Sequence, residues 1–72
     1  MDVIGTLEGR KDYTIHGELY SQLYFSLPDD PETIQQCRLP GDAFDNDLKP
    51  GDQVRITFLL KTVMEMRRAD GE

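Results

Sequence analysis

Beyond the corner Pro50-Gly51-Asp52 the side chains alternate in polarity as far as Arg67. Val54, Ile56, Phe58, Leu60, Thr62, Met64 and Met66 make one phase, nearly all apolar. Arg55, Thr57, Leu59, Lys61, Val63, Glu65 and Arg67 make the other, mostly polar. A period of two belongs to a strand with one buried face, so the even positions are expected to face a core and the odd ones water. Leu59, Leu60, Val63, Met64 and Arg67 also fit one face of a helix, and a terminal helix over Leu59–Arg68 is the alternative. The strand is preferred because six of the seven even positions hold one phase. Its length is a constraint in itself. Thirteen residues at ~3.3 Å each span about 43 Å, whereas a compact chain of 72 residues has a radius of gyration near ~11 Å. Such a strand must coil around a small barrel, break at a bulge, or reach into a second subunit.

A second alternation precedes it. From Tyr13 to Leu27 the odd positions include Tyr13, Ile15, Leu19, Leu23, Phe25 and Leu27, and Gly17 and Ser21 offer places for a bend or bulge. Val3–Glu8 alternates weakly and suits a short strand, while Gly9-Arg10-Lys11-Asp12 reads as a turn. Pro28–Glu32, with its prolines and acids, reads as a loop. Thr33–Leu39 is expected to be a further strand, polar enough for an edge, with a helix as the alternative. Turn compositions flank Ala43-Phe44, so Phe44 is expected to plug the core between them. Residues 1–68 then make one small domain, and Ala69–Glu72 a tail expected to fray.

Small domains bury little of their surface, so a chain of this length usually draws on a disulfide, a metal or a partner subunit. Cys37 is the one cysteine, which excludes an intrachain disulfide, and one His beside one Cys is a poor metal-ligand set. Self-association, as a homodimer or larger, is the expected support. The net charge is −6, which repels nucleic acid and anionic membranes at long range. The charge is uneven, with an acidic stretch over Asp29–Asp52 and bases Arg55, Lys61, Arg67 and Arg68 beyond it. Complementary halves suit a charged protein partner or head-to-tail association. One unpaired thiol fits a reducing compartment, Met1–Gly5 lacks the start of a signal peptide, and Phe58-Leu59-Leu60 is far too short to span a membrane. The expected location is the cytoplasm, with no membrane partner.

Three sets of residues bear on chemistry. Asp42, Asp45, Asp47 and Asp52 have carboxylates for a hard cation, but they lie beside Asn, Pro and Gly, where turns use Asp, and no metal is expected. His16 and Cys37 have no neighbouring base or Gly elbow, so no catalytic residue, enzyme activity or cofactor is expected. Tyr20 and Tyr24 fall on the polar phase of their run, near Gln22 and His16, where exposed rings meet partners. Arg10, Lys11, Arg55 and Arg67 are the cations expected near them.

The segment Pro50-Gly51-Asp52-Gln53-Val54-Arg55-Ile56 resembles one found in OB-fold and SH3-like barrel proteins. Together with the alternations, the resemblance implies an all-β fold. The expected form is a small five-stranded, partly open barrel with long coiled strands over Tyr13–Leu27 and Gln53–Met66. Fold does not set function, which has to come from exposed surface. The expectation is a non-catalytic protein-interaction module, self-associating through strand edges, with Tyr20, Tyr24, His16, Arg55 and Arg67 as its contact surface. The alternative is an OB-type protein binding single-stranded nucleic acid, with bases stacked on Tyr20 and Tyr24; the net charge disfavours it.

Overall fold

The computed structural model describes residues 1–69; residues 70–72, within the tail expected to fray, lie outside the described residues. There are five strands: β1 (Asp2–Ile15), β2 (Glu18–Leu27), β3 (Asp30–Pro40), β4 (Gln53–Leu59) and β5 (Thr62–Arg68). All pair antiparallel in one sheet of order β3-β2-β1-β4-β5. The sheet curls but does not close into a barrel. Its end strands, β3 and β5, leave a seam, which the β3–β4 connection spans at one end through a parallel bridge between Phe44 and Met66. The radius of gyration is 11.6 Å.

Both long alternations prove to be hairpins, which resolves the length problem by reversal of the chain. Tyr13–Leu27 turns at His16-Gly17, and the run beyond Asp52 turns at Leu60-Lys61. The helical alternative for Leu59–Arg68 is thereby excluded, and the single long strand over Gln53–Met66 is corrected to two. Gly9–Asp12 is no turn either. β1 runs through it, and the β1–β2 register slips between Leu7 and Gly9, where Glu8 is the extra residue of a bulge. Strand also begins earlier than expected in the Pro28–Glu32 segment, where Pro28-Asp29 alone makes the turn. Thr33–Leu39 does lie in an edge strand, and Phe44 is buried.

The core consists of Leu7, Leu23, Phe25, Leu39, Phe44, Leu48, Val54, Ile56 and Met66. The even phase of the last alternation holds at Val54, Ile56 and Met66 but fails at Leu60 and Met64, which are 90% and 48% exposed. Leu60 lies at the turn itself, and a register slip pairs Phe58 with Val63, so Val63 packs on the core where Met64 was expected. Ala69 is buried, and its N–H donates to Gln53 O at 2.9 Å.

The two ends of the sheet differ. At one, the connection over residues 41–52 folds beneath the strands and seats Phe44 and Leu48 in the core. Leu7 N–H donates to Asp52 O, Gly51 N–H to Leu7 O and Met66 N–H to Ala43 O, at 2.9, 2.7 and 2.9 Å. This is the capped end. At the other gather Met1, the Pro28-Asp29 turn and the Leu60-Lys61 turn; nothing covers this open end among the described residues.

The two hairpin turns differ in strain. His16 and Gly17 have φ 52° and 82°, the two left-handed residues of a type I′ turn, which a right-twisted hairpin favours. A Cβ at Gly17 would meet no atom within 4 Å, so substitution there acts through the backbone alone. Gly17→Ala should lower stability by about 1 kcal/mol, or roughly 4–8 °C in Tm for a domain of this size, measured by thermal circular dichroism. An unchanged Tm would show that the turn relaxes to another type.

Candidate interaction surfaces

The outer face of β1–β2–β3 carries the tyrosines. Tyr20 pairs across with Tyr13 of β1, and their rings stack with centroids 6.0 Å apart and planes 18° from parallel. Tyr13 had shared a phase with the core positions, but the bulge at Glu8 and the hairpin turn put it beside Tyr20 instead. Tyr24 pairs with Gly9, and its ring lies against the space a side chain there would fill. Such coverage protects a strand glycine. Lys11 and Arg38 both pair with Gln22, which lies between the two tyrosines on β2, so the rings have a cation on each flank. Both cations are exposed, and neither has an ion-pair partner among the described residues.

The other residues expected on this surface lie elsewhere. His16 occupies the β1–β2 turn, where its tolerance of positive φ is used. Arg55 on β4 and Arg67 on β5 pair with one another, across β1 from the tyrosines. Arg67 donates to Asp45 Oδ1 at 3.1 Å, to Glu65 Oε2 at 3.1 Å and to Asp42 O at 2.8 Å, which turns it toward the β3–β4 connection. Arg10 points inward, its side chain 14% exposed. It lies 5.0 Å from the Phe44 ring centroid and donates to Asn46 O, Leu48 O and the Asp12 carboxylate. Arg38, which sequence reasoning passed over, takes the flanking role given to these arginines. Its signal was its place opposite Gln22, visible only with the β2–β3 register known.

The acidic run is occupied by arginines and backbone amides. Asp45 accepts from Arg68 N–H at 2.8 Å, Asp52 from Lys49 N–H and the Arg68 guanidinium at 2.8 and 2.9 Å, and Asp47 pairs with Arg68 at 3.1 Å. No group of three or more potential metal-ligating side chains occurs among the described residues. The hydrogen bond from Arg68 N–H holds the Asp45 carboxyl below its ordinary range, and the Arg10 guanidinium does the same for Asp12. A carboxyl that binds its proton less tightly folded than unfolded contributes stability above its unfolded pKa, near ~3.9, and loses it as pH falls through the folded value. Tm should therefore decline below about pH 4, and Asp45→Asn should flatten that decline. An equally steep fall in the variant would place the acid sensitivity elsewhere.

Cys37 on β3 pairs with Leu23, six positions along from Gly17 of the turn that holds His16, so about 20 Å separates their strand positions. Burial pushes the Cys37 thiol up to about 11, which keeps it protonated at neutral pH.

The open end holds a feature the sequence did not reveal. A groove of about 840 Å³ runs into it, within the range of ligand sites. Val3, Leu27 and Phe58 line its floor; Met1, Pro28 and Leu60 its rim. Asp29 of the β2–β3 turn and Lys61 of the β4–β5 turn also line it, each without an ion-pair partner among the described residues. Leu60 is the strained residue here. It opens a two-residue turn with φ 59°, where type II′ hairpins favour glycine, yet it is a leucine 90% exposed to solvent. Leu59 beside it is 63% exposed. Lining residues from two separate hairpins and the start of β1 meet here, so no local pattern announces the groove.

No family model, curated protein or solved structure matches the chain. No helix among the described residues is long and apolar enough to cross a membrane.

Proposed function

We propose that this chain is a non-catalytic interaction module that binds protein, including a second copy of itself, through the exposed edges of its sheet. The carrying observation is the seam. β3 and β5 end the sheet, and an unpaired strand edge is a template for another chain. The β3–β4 connection supports the reading from within. Ala43 accepts from Met66 N–H, and Asp45 N–H donates to Met66 O, so an extended segment already adds to the β5 edge at the capped end. The fold reading that goes with it is a five-stranded, partly open barrel, OB-like in being interrupted at one seam. Hydrogen exchange at rising protein concentration tests the proposal. Amides of Thr33–Gln36 and Thr62–Met64 should gain protection as copies or partners pair with them. Exchange independent of concentration, with a monomer throughout, would remove the self-association part.

The second reading, a single-stranded nucleic-acid binder, draws on Lys11 and Arg38 flanking Tyr20 and Tyr24. It requires oligonucleotide affinity that falls steeply with salt and with Lys11→Gln and Arg38→Gln together, measured by fluorescence anisotropy. No binding at low salt would end it. The net charge of −6 places protein first.

A further inference from the structure

We infer that the open end is a two-fold interface, in which the Leu60 tip of each copy enters the groove of the other. This rests on the self-association reading and gives it a surface distinct from the β3 and β5 edges. Two observations meet here. The first is the exposed Leu59-Leu60 tip, beside Met1, which is 80% exposed. Leu60 keeps a left-handed backbone at φ 59° although glycine would occupy it without strain. Among the described residues its side chain is spent on no core contact, and strain held at an exposed site is a pointer to function. The second is the groove itself, with apolar floor residues Val3, Leu27 and Phe58 at the same end as the tip. Tip and groove are knob and hole on one surface, as an isologous pair requires.

Charge selects a second copy over another occupant. Asp29, from the β2–β3 turn, and Lys61, from the β4–β5 turn, both line the groove, both exposed and both unpaired among the described residues. About a two-fold axis through the groove, Lys61 of one copy meets Asp29 of the other, and the reciprocal pair forms with it. Asp30 and Glu32, both exposed, follow Asp29 at the start of β3. The same acids oppose an anionic lipid surface at this tip.

Sedimentation of the whole chain, with Leu60→Gly, Lys61→Glu and Asp29→Lys variants, tests the interface. The unaltered chain should form dimers. Leu60→Gly should raise the dimer Kd about a hundredfold or more, because two-fold symmetry removes the buried leucine twice. Its Tm, taken dilute, should be unchanged or higher, since the turn strain is relieved; that separates lost binding from lost folding. Lys61→Glu and Asp29→Lys should each weaken the dimer, and an equimolar mixture of the two should restore it, because the unlike charges then face each other twice. A dimer equally strong in all three variants overturns this interface while leaving self-association standing. A mixture that stays monomeric overturns the two-fold pairing. A monomeric unaltered chain overturns both this and the self-association reading. Saturable quenching of such a monomer by an extended apolar peptide would assign the groove to another protein.

Discussion

Phe44→Ala is expected to destabilise the protein by about 3–5 kcal/mol, the usual cost of emptying a buried phenylalanine site. Against a total of roughly 4–11 kcal/mol for a domain this small, the variant loses about a quarter or more of its stability. The size follows from what one ring does. Phe44 is fully buried, on a connection that is otherwise mostly polar and has only Leu48 as a second buried anchor. Its backbone position bridges to Met66 and so ties the two ends of the sheet together. Its ring also supports Arg10, whose guanidinium holds Asn46 O and Leu48 O. Removing the ring leaves that partly buried cation beside a cavity. Phe44→Leu retains most of the apolar volume and should cost about 1 kcal/mol. Urea denaturation followed by tyrosine fluorescence measures both. A Phe44→Ala loss below about 1 kcal/mol would mean that the connection is held by its polar contacts.

Gly5→Ala is expected to cost about 3 kcal/mol, at the upper end of ordinary overpacking, and to lower Tm by roughly 10–20 °C. A Cβ built at Gly5 would lie 2.6 Å from the backbone oxygen of Ser26, a distance real Cβ atoms do not adopt, and 3.1 Å from Ile56 Cδ1. The obstacle is main chain, so no side-chain rotation relieves it. Gly5 pairs with Val54 of β4 while its neighbour Thr6 pairs with both Gln53 of β4 and Ser26 of β2, so β1 passes here from one partner to the other. The tight curl of the sheet needs a residue without a side chain at that point. Gly9→Ala is the control. Its Cβ would meet the Tyr24 ring at 3.4 Å, an ordinary contact with a movable group, and the substitution should be neutral or stabilising by about 0.5 kcal/mol. Equal losses from both would locate the effect in strand propensity and not in the close approach.

Why the strands were legible and the hairpins were not comes down to phase. A two-residue turn reverses the parity of inward residues, because the positions flanking it pair on one face. A bulge reverses it as well. In the first half of the chain the inward residues are Leu7, then Arg10 and Asp12 after the bulge, then Ser21, Leu23 and Phe25 after the turn. In the second half they are Val54, Ile56 and Phe58, then Val63 after the turn, then Met66 after the slip. In the second half the two reversals cancel, so one unbroken alternation disguises a bend and a bulge; in the first the bulge precedes Tyr13, and the turn alone leaves Tyr13 and Ile15 off the core phase. Phe44 was legible because it is an isolated large apolar residue among turn formers. Arg10 was not, since its inward direction depends on Glu8 alone. Tyr20 and Tyr24 were placed on an outer face by parity within β2, which contains no reversal.

The division of β1 between two partners has a kinetic consequence. β2 and β3 reach β1 by closing short loops, events of microseconds. Val3 and Gly5 instead wait for Ile56 and Val54, which come from the far half of the chain. Loop closure over that distance precedes any reward from the contacts it makes. The three-stranded meander is therefore expected to form before the β4–β5 hairpin docks, with that docking the slower step in folding kinetics.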